Sequence, residues 1–388
     1  MEVKQITKTQ IAVMSVAAGI CVANIYYNQP ILKDISHNFD VTESDAGIVS
    51  VLAQAGYGLG LFFLTPLGDK LNRKKLIIIL MLLLAGVLIG TTFVENFFWL
   101  CIFSLLTGLM SVAAQVILPM AASMDKINRG RTVGIIFTGI LVGILAARVF
   151  SGVIAGLFNW RYVYGIAAGM VLLSTIVIYF SLPDIKAAFS GNYANLLSST
   201  LYQLKRFPLL RKTALLGGLV FGIFCSFWTT LTFHLSGSPF NYETDIIGLF
   251  GILAIGGALL APLFGKLADK GNTQRSLLFS VTIVIAGIIA VMIYPFSVVA
   301  VTIAVLLIDV GVQATQVTNV ATIYTLDETA HSRINTAYMT SYFIGGALGT
   351  FAGIKCWQIG GWNMVNWQLV FWGILALTVV LLKKRKKL

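Results

Sequence analysis

The chain has 388 residues, 57% of them hydrophobic and 11% charged, against roughly 25% charged in an average soluble domain. A single apolar core stops growing at about 250–300 residues, and no water-soluble packing hides uncharged runs such as Leu76 to Val94 or Leu215 to Phe233. The composition excludes a water-soluble enzyme, and the meaning of the net charge of +12 depends on where the bases lie.

A helix crosses the hydrocarbon with about 20 apolar residues. Charge-poor segments of that length predict twelve spans: Ile11–Leu32, Ala46–Leu67, Leu76–Val94, Phe97–Ser123, Thr132–Phe158, Tyr162–Leu182, Thr213–Leu235, Asp245–Phe264, Ser276–Tyr294, Val298–Tyr324, Ile334–Trp357 and Trp367–Leu382. The expected class is an all-α integral membrane protein. With the amino terminus in the cytoplasm, the segments on that side carry 23 of the 27 Lys and Arg residues. Both termini are therefore expected to be cytoplasmic. The ten residues before span 1 show no small-residue cleavage pattern, so span 1 reads as a permanent helix.

Cys21, Cys101, Cys225 and Cys356 lie in or beside spans without the spacing of a disulfide framework or a zinc site. There is no His-Glu-x-x-His, Gly-x-Ser-x-Gly or phosphate-binding glycine run. Neither an enzyme nor an ATP-driven pump is expected, and no cofactor, metal or nucleic-acid partner.

The sequence repeats itself. Asp125 and Arg131 after span 4 recur as Asp327 and Arg333 after span 10, and Gly143 recurs as Gly345, each offset by 202 residues; Asp69 recurs as Asp269. Two pseudo-symmetric six-helix bundles, 1–182 and 213–388, are thus expected, joined by a cytoplasmic linker, 183–212. Leu197, Leu201, Leu204 and Phe207, beside Lys205 and Arg206, predict a short amphipathic helix on the inner membrane face.

Gly265-Lys266-Leu267-Ala268-Asp269-Lys270 between spans 8 and 9, and Leu67-Gly68-Asp69-Lys70 with Arg73-Lys74-Lys75 between spans 2 and 3, resemble the loop motif of the major facilitator superfamily. The first copy has Thr65 and Asn72 at the two glycine positions of the pattern. Ala23 to Pro30, and Ala147-Arg148-Val149-Phe150-Ser151-Gly152 followed by Trp160-Arg161, further resemble a bacterial branch of drug or sugar efflux permeases. The resemblance covers essentially the whole chain. It implies the major facilitator fold, a bacterial inner membrane location, and a proton-driven or facilitative carrier that rocks about a cavity lined by spans 1, 4, 7 and 10. It also implies that Asp69, Lys70 and Arg73 form a cytoplasmic gate, with Asp269 and Lys270 as the weaker twin. Family antiporters often carry Gly-Pro in span 5, where this chain has Gly143-Ile144.

Charges at bilayer depth are costly enough to be functional candidates by default. Asp309 in span 10 is the deep acid and the candidate for proton coupling; the alternative is a permanently paired packing group. Arg148 in span 5 is the deep base. Its guanidinium stays protonated and its fork suits a carboxylate or phosphate on a solute, or else a neutralising role. Lys355 is close enough to a helix end to snorkel outward.

Polar stripes accompany these charges. Ser104, Thr107, Ser111 and Gln115 share one face of span 4, and Asp309, Gln313 and Gln316 one face of span 10. Asn24, Tyr27 and Asn28 of span 1 correspond by the repeat to Ser226, Thr229 and Thr230 of span 7. Trp228 and Tyr338, with Tyr26, Tyr57 and Tyr342, offer stacking surfaces. The candidate binding set is therefore Asn24, Tyr27, Asn28, Ser111, Gln115, Arg148, Trp228, Thr230, Gln313, Gln316 and Tyr338. The alternative for each residue is interhelical hydrogen bonding or packing. His234 near the outer end of span 7 is a titratable candidate or an interfacial hydrogen-bonding residue. Gly139 with Gly143, Gly152 with Gly156, and Gly345 with Gly349 and Gly353 permit close helix contacts, as sliding seams or static packing.

The expected function is secondary transport of a small polar or amphiphilic organic solute by alternating access, as proton-coupled efflux by a monomeric antiporter in the lipid bilayer. An uptake carrier or uncoupled facilitator of a small metabolite is the alternative, and a non-transporting receptor or scaffold a third.

Overall fold

The computed structural model describes residues 6–125, 128–185, 192–252, 273–327 and 330–382, and all regular structure among them is helical. In chain order the helices are α1 (Lys8–Ala23), α2 (Leu32–Phe39), α3 (Glu43–Phe63), α4 (Leu67–Lys70), α5 (Arg73–Thr92), α6 (Phe97–Met110), α7 (Ala113–Met124), α8 (Arg129–Leu157), α9 (Trp160–Ser181), α10 (Tyr193–Arg206) and α11 (Pro208–Ser236). They continue with α12 (244–252), α13 (Thr273–Ile293), α14 (Val298–Tyr324) and α15 (His331–Leu381). Nine helical stretches among the described residues are long and apolar enough to cross a membrane. The last of these changes direction at Gly360 and Gly361. The shorter apolar α1 and the first turns of α12 occupy two further expected spans.

Local sequence sets the helix starts. Asn72, Asn96, Asn159 and Ser297 each accept a backbone N–H of the turn that follows, and Thr7 with Gln10 forms a reciprocal cap on α1. These side chains satisfy donors that the first helical turn leaves open.

Three spans differ from the continuous helices expected. Span 1 ends as an α-helix at Ala23, and residues 24–31 follow as turns. Ile25 N–H bonds Val22 O, Tyr26 N–H bonds Ala23 O and Gln29 N–H bonds Tyr26 O; Pro30, without an N–H, cannot continue the i to i−4 ladder. Span 4 breaks between α6 and α7, where Ser111 Oγ donates to Thr107 O at 2.6 Å and competes with the helix. The last span starts at Trp362, five residues before the position expected, because Gly361 sits at φ +58° and turns the chain.

The chain forms two compact units. One comprises Met1–Val41, Leu52–Ser198 and Glu243–Gly251, the other Thr42–Val51, Ser199–Tyr242 and Ile252–Leu388. In the first, Gly19 of α1 meets the backbone of Gly139 and Gly143 of α8. Gly56 and Gly60 of α3 meet Leu105 and Leu109 of α6. Arg161 at the start of α9 lies over the Trp160 ring and donates to Asn38 of the α2 end and, at 2.8 Å, to Val94 O. In the second unit, Gly345 and Gly349 of α15 press on Gly218 and Gly222 of α11, and Gly353 on Ser226. Small residues allow these backbone approaches. The repeat therefore has the same seam twice, span 5 on span 1 and span 11 on span 7.

The expected linker helix is α10. Arg206 at its end pairs with Asp327 at 2.6 Å, and Arg211 NH1 donates to Leu204 O and Lys205 O, closing its last carbonyls. None of the four cysteines is in a disulfide.

Candidate functional site

In the first unit the polar stretch after α1 carries three of the candidate residues, and all three are buried. Asn24 Nδ2 donates to Ile20 O at 2.8 Å, and Asn28 Nδ2 donates to Ile25 O at 3.0 Å. Their amide N–H groups thus brace a broken helix, a use expected where irregular backbone stands at membrane depth. Tyr27 packs its ring on Phe150, 5.3 Å between centroids. Arg148 of α8, only 1% exposed, reaches into the same stretch. Its Nε donates to Gln29 Oε1 at 2.8 Å, and its guanidinium carbon lies 5.5 Å from the Tyr26 ring centroid. A planar cation held through Nε and set over an aromatic ring has its other N–H groups fixed in one plane.

Residues of α6, α7 and α3 add to this unit. Gln115 Nε2 donates to Tyr57 OH at 3.3 Å. Ser111 is fully buried, and its hydroxyl donates to its own helix. Beyond α3, Asp69 of α4 and Arg73 at the start of α5 pair at 3.0 Å. Arg73 also donates through Nε to Gly68 O and through NH1 to Pro119 O, both at 3.0 Å. The basic side chain thereby ties the turn after span 2 to the end of span 4. Lys70 is exposed beside this cluster; Asp269 and Lys270 lie outside the described residues.

In the second unit Asp309 is 1% exposed in the middle of α14, with Gln313 and Gln316 one and two turns on along the same face. Gln316 Oε1 accepts from Tyr342 OH at 3.2 Å, and the Tyr342 ring stacks on Phe221 at 4.0 Å. Tyr338 is buried, and its OH accepts from Asn319 Nδ2 at 3.4 Å. On α11, Thr230 Oγ1 donates to Ser226 O at 2.8 Å, and Trp228 is buried against Phe224 and Phe227. Among the described residues no cluster of His, Cys, Asp and Glu is disposed to hold a metal ion.

A family model described as Major Facilitator Superfamily matches residues 14–353. The chain belongs to the major facilitator superfamily. It is 39% identical over 378 residues to the uncharacterized transporter YgaY of Escherichia coli O157:H7, covering 97% of this chain and 95% of that protein. The fold is similar to a crystal structure of the nucleoside transporter NupG, with TM-score 0.76, 12% identity and coverage of 96% and 98%. A bacterial homologue of the human lysosomal transporter Spinster, inward-facing and unoccupied, gives TM-score 0.74 at 13% identity, with coverage of 95% and 94%. This superfamily member is a multi-pass membrane transporter, not an enzyme.

Two polar residues of the superfamily member escape a reading by stripes. Gln29 stands beside the Asn24, Tyr27 and Asn28 set but off its helical register, and the loss of α-helix after Ala23 brings it to Arg148. Asn319 continues the Asp309, Gln313 and Gln316 series by three residues. Extending that periodicity one turn would have found it.

Proposed function

We propose that the protein is a proton-coupled carrier of a small polar or amphiphilic organic solute bearing an anionic group, working by alternating access and in the direction of efflux. The observation that carries this reading is one fully buried guanidinium, Arg148, in the first unit and one fully buried carboxyl, Asp309, in the second. Burial of each at bilayer depth is expensive and is usual on a transport path.

In this reading Arg148, aimed by Gln29 and Tyr26, takes the anionic group through its N–H fork. Asp309 changes its protonation with its surroundings, since desolvation favours the neutral acid and an approaching cation the charged one. Tyr27, Trp228, Tyr338, Gln115, Gln313 and Gln316 supply stacking and hydrogen bonds to the rest of the solute; Asn24, Asn28, Ser111 and Thr230 shape the helices that carry them. Asp69, Lys70 and Arg73, with Asp269 and Lys270, act as the cytoplasmic gate. The carrier works as a monomer with twelve spans in two six-helix bundles, 1–182 and 213–388, in the bacterial inner membrane with both termini cytoplasmic, as the basic loops favour. Similarity at 12% identity to a nucleoside transporter speaks for the fold and leaves acidic sugars, zwitterions and anionic drug-like amphiphiles as the solute classes.

The test is a pooled solute screen on proteoliposomes enclosing a pH-sensitive dye. An anionic or zwitterionic solute that moves protons only when protein is present supports the reading. Solute flux without proton movement favours the uncoupled facilitator instead.

A further inference from the structure

Residues 243–251 pack in the first compact unit, although the chain on either side of them packs in the second. They lie on α8 along a seam of backbone. A β-carbon on Gly248 would sit 2.7 Å from the Arg148 carbonyl oxygen, one on Gly152 would sit 2.8 Å from Thr244 O, and one on Gly251 would sit 3.0 Å from Arg148 Cβ. The turn of α8 that carries the buried guanidinium is thus the seat of α12. Small residues make this close approach possible.

A side chain from a further element joins this contact. Asp34 of α2 is half-buried, and its Oδ2 accepts from Thr244 Oγ1 at 2.9 Å. The cations acting on Asp34 are Lys33 and His37 of its own element. From α12 it is met by the neutral Thr244, which stands between Glu243 and Asp245; α8 brings Gly152 and Gly156 to the same segment. Burial raises the Asp34 pKa above the ordinary aspartate value, against the opposing pull of Thr244, Lys33 and His37.

We propose that Asp34 is a proton-binding site distinct from Asp309, and that its occupancy holds the first turns of α12 on α8. The sign follows from linkage: a carboxyl desolvated by a contact binds its proton more tightly in that contact, so the proton stabilises the seated arrangement by the same factor. Loss of the proton leaves a charge in the half-buried contact and favours release of α12, which uncovers the Arg148 turn. In the orientation favoured by the basic loops Asp34 lies on the outer side, so the proton comes from outside. The inference rests on the carrier reading only for the existence of two arrangements. Its readout is conformation rather than flux, so it fails or stands separately from solute coupling.

The experiment labels Ile247→Cys, a buried position on α12, with a membrane-impermeant maleimide in proteoliposomes of full-length protein whose four native cysteines are replaced by serine. The neighbouring Ile246→Cys, at an exposed position, corrects for the intrinsic pH dependence of thiol reactivity. The corrected rate is expected to rise several-fold from about pH 5 to about pH 8, a range starting above the ordinary aspartate pKa of about 3.9. Asp34→Asn should keep the low rate throughout. Thr244→Val, which removes a hydrogen bond to the charged form, should move the midpoint upward without abolishing the rise. A rise that persists in Asp34→Asn, or a corrected rate that is flat in the parent protein, overturns the proposal.

Discussion

Arg148 and Gln29 show how one hydrogen bond turns a costly charge into an oriented one. A bond to a charged group contributes roughly 1.5–3 kcal/mol, so Gln29→Leu should lower the thermal midpoint of the detergent-solubilised protein, with Gln29→Glu retaining most of it. If Arg148 holds the solute, Arg148→Lys keeps the charge but loses the planar fork. Once the screen identifies a solute, that variant should raise its KM on the order of tenfold, or about 1.4 kcal/mol, with a smaller change in kcat. Asp34 gives a pH signature at the same scale. Its folded-state pKa is raised by burial, so the stability it contributes is complete at acid pH and declines as pH rises through the folded value. Asp34→Asn should therefore melt higher than the parent at pH 7 and converge with it below about pH 4. A constant difference across that range would contradict the assignment. Arg148 and Asp309 were legible because a charge inside an apolar run stands out without any fold. The role of Gln29 was hidden because it depends on where an unwound segment places its side chain.

At the scale of elements, the sequence reads well wherever an apolar run is uninterrupted. The span expected at Val298–Tyr324 coincides with α14, and the amphipathic linker segment falls on α10. Misreadings come where backbone chemistry outweighs hydropathy: at Asn24 to Pro30, at Ser111, and at Gly360 with Gly361. A window that averages hydrophobicity passes over a proline, a back-bonding serine or a glycine turn. The glycine pairs mark sites of close contact in the sequence, and the structure supplies their partners in α1, α11 and α12. Gly345→Leu would drive a side chain into the Gly218 backbone, an overpacking that costs about 1–3 kcal/mol. Gly86→Leu, where a β-carbon meets nothing within 4 Å, should leave the thermal midpoint nearly unchanged. Equal losses from both variants would argue against the seam.

For the whole molecule, the repeat of about 200 residues is visible in Asp125, Arg131 and Gly143 and their later counterparts, and it reappears as the same glycine packing in both units. Membership of a transporter superfamily follows from the match over residues 14–353; the solute, the coupling ion and the direction of transport do not, because function depends on a few side chains set on a shared fold. The proposed coupling runs through one deep carboxyl, Asp309. The most direct measurement is solute flux driven by an imposed pH gradient, in proteoliposomes of the parent protein and of Asp309→Asn at matched reconstitution. A coupling role for Asp309 predicts that gradient-driven flux is lost in Asp309→Asn while exchange of solute down its own gradient survives. Full gradient-driven flux in Asp309→Asn would contradict it and return Asp309 to a packing role.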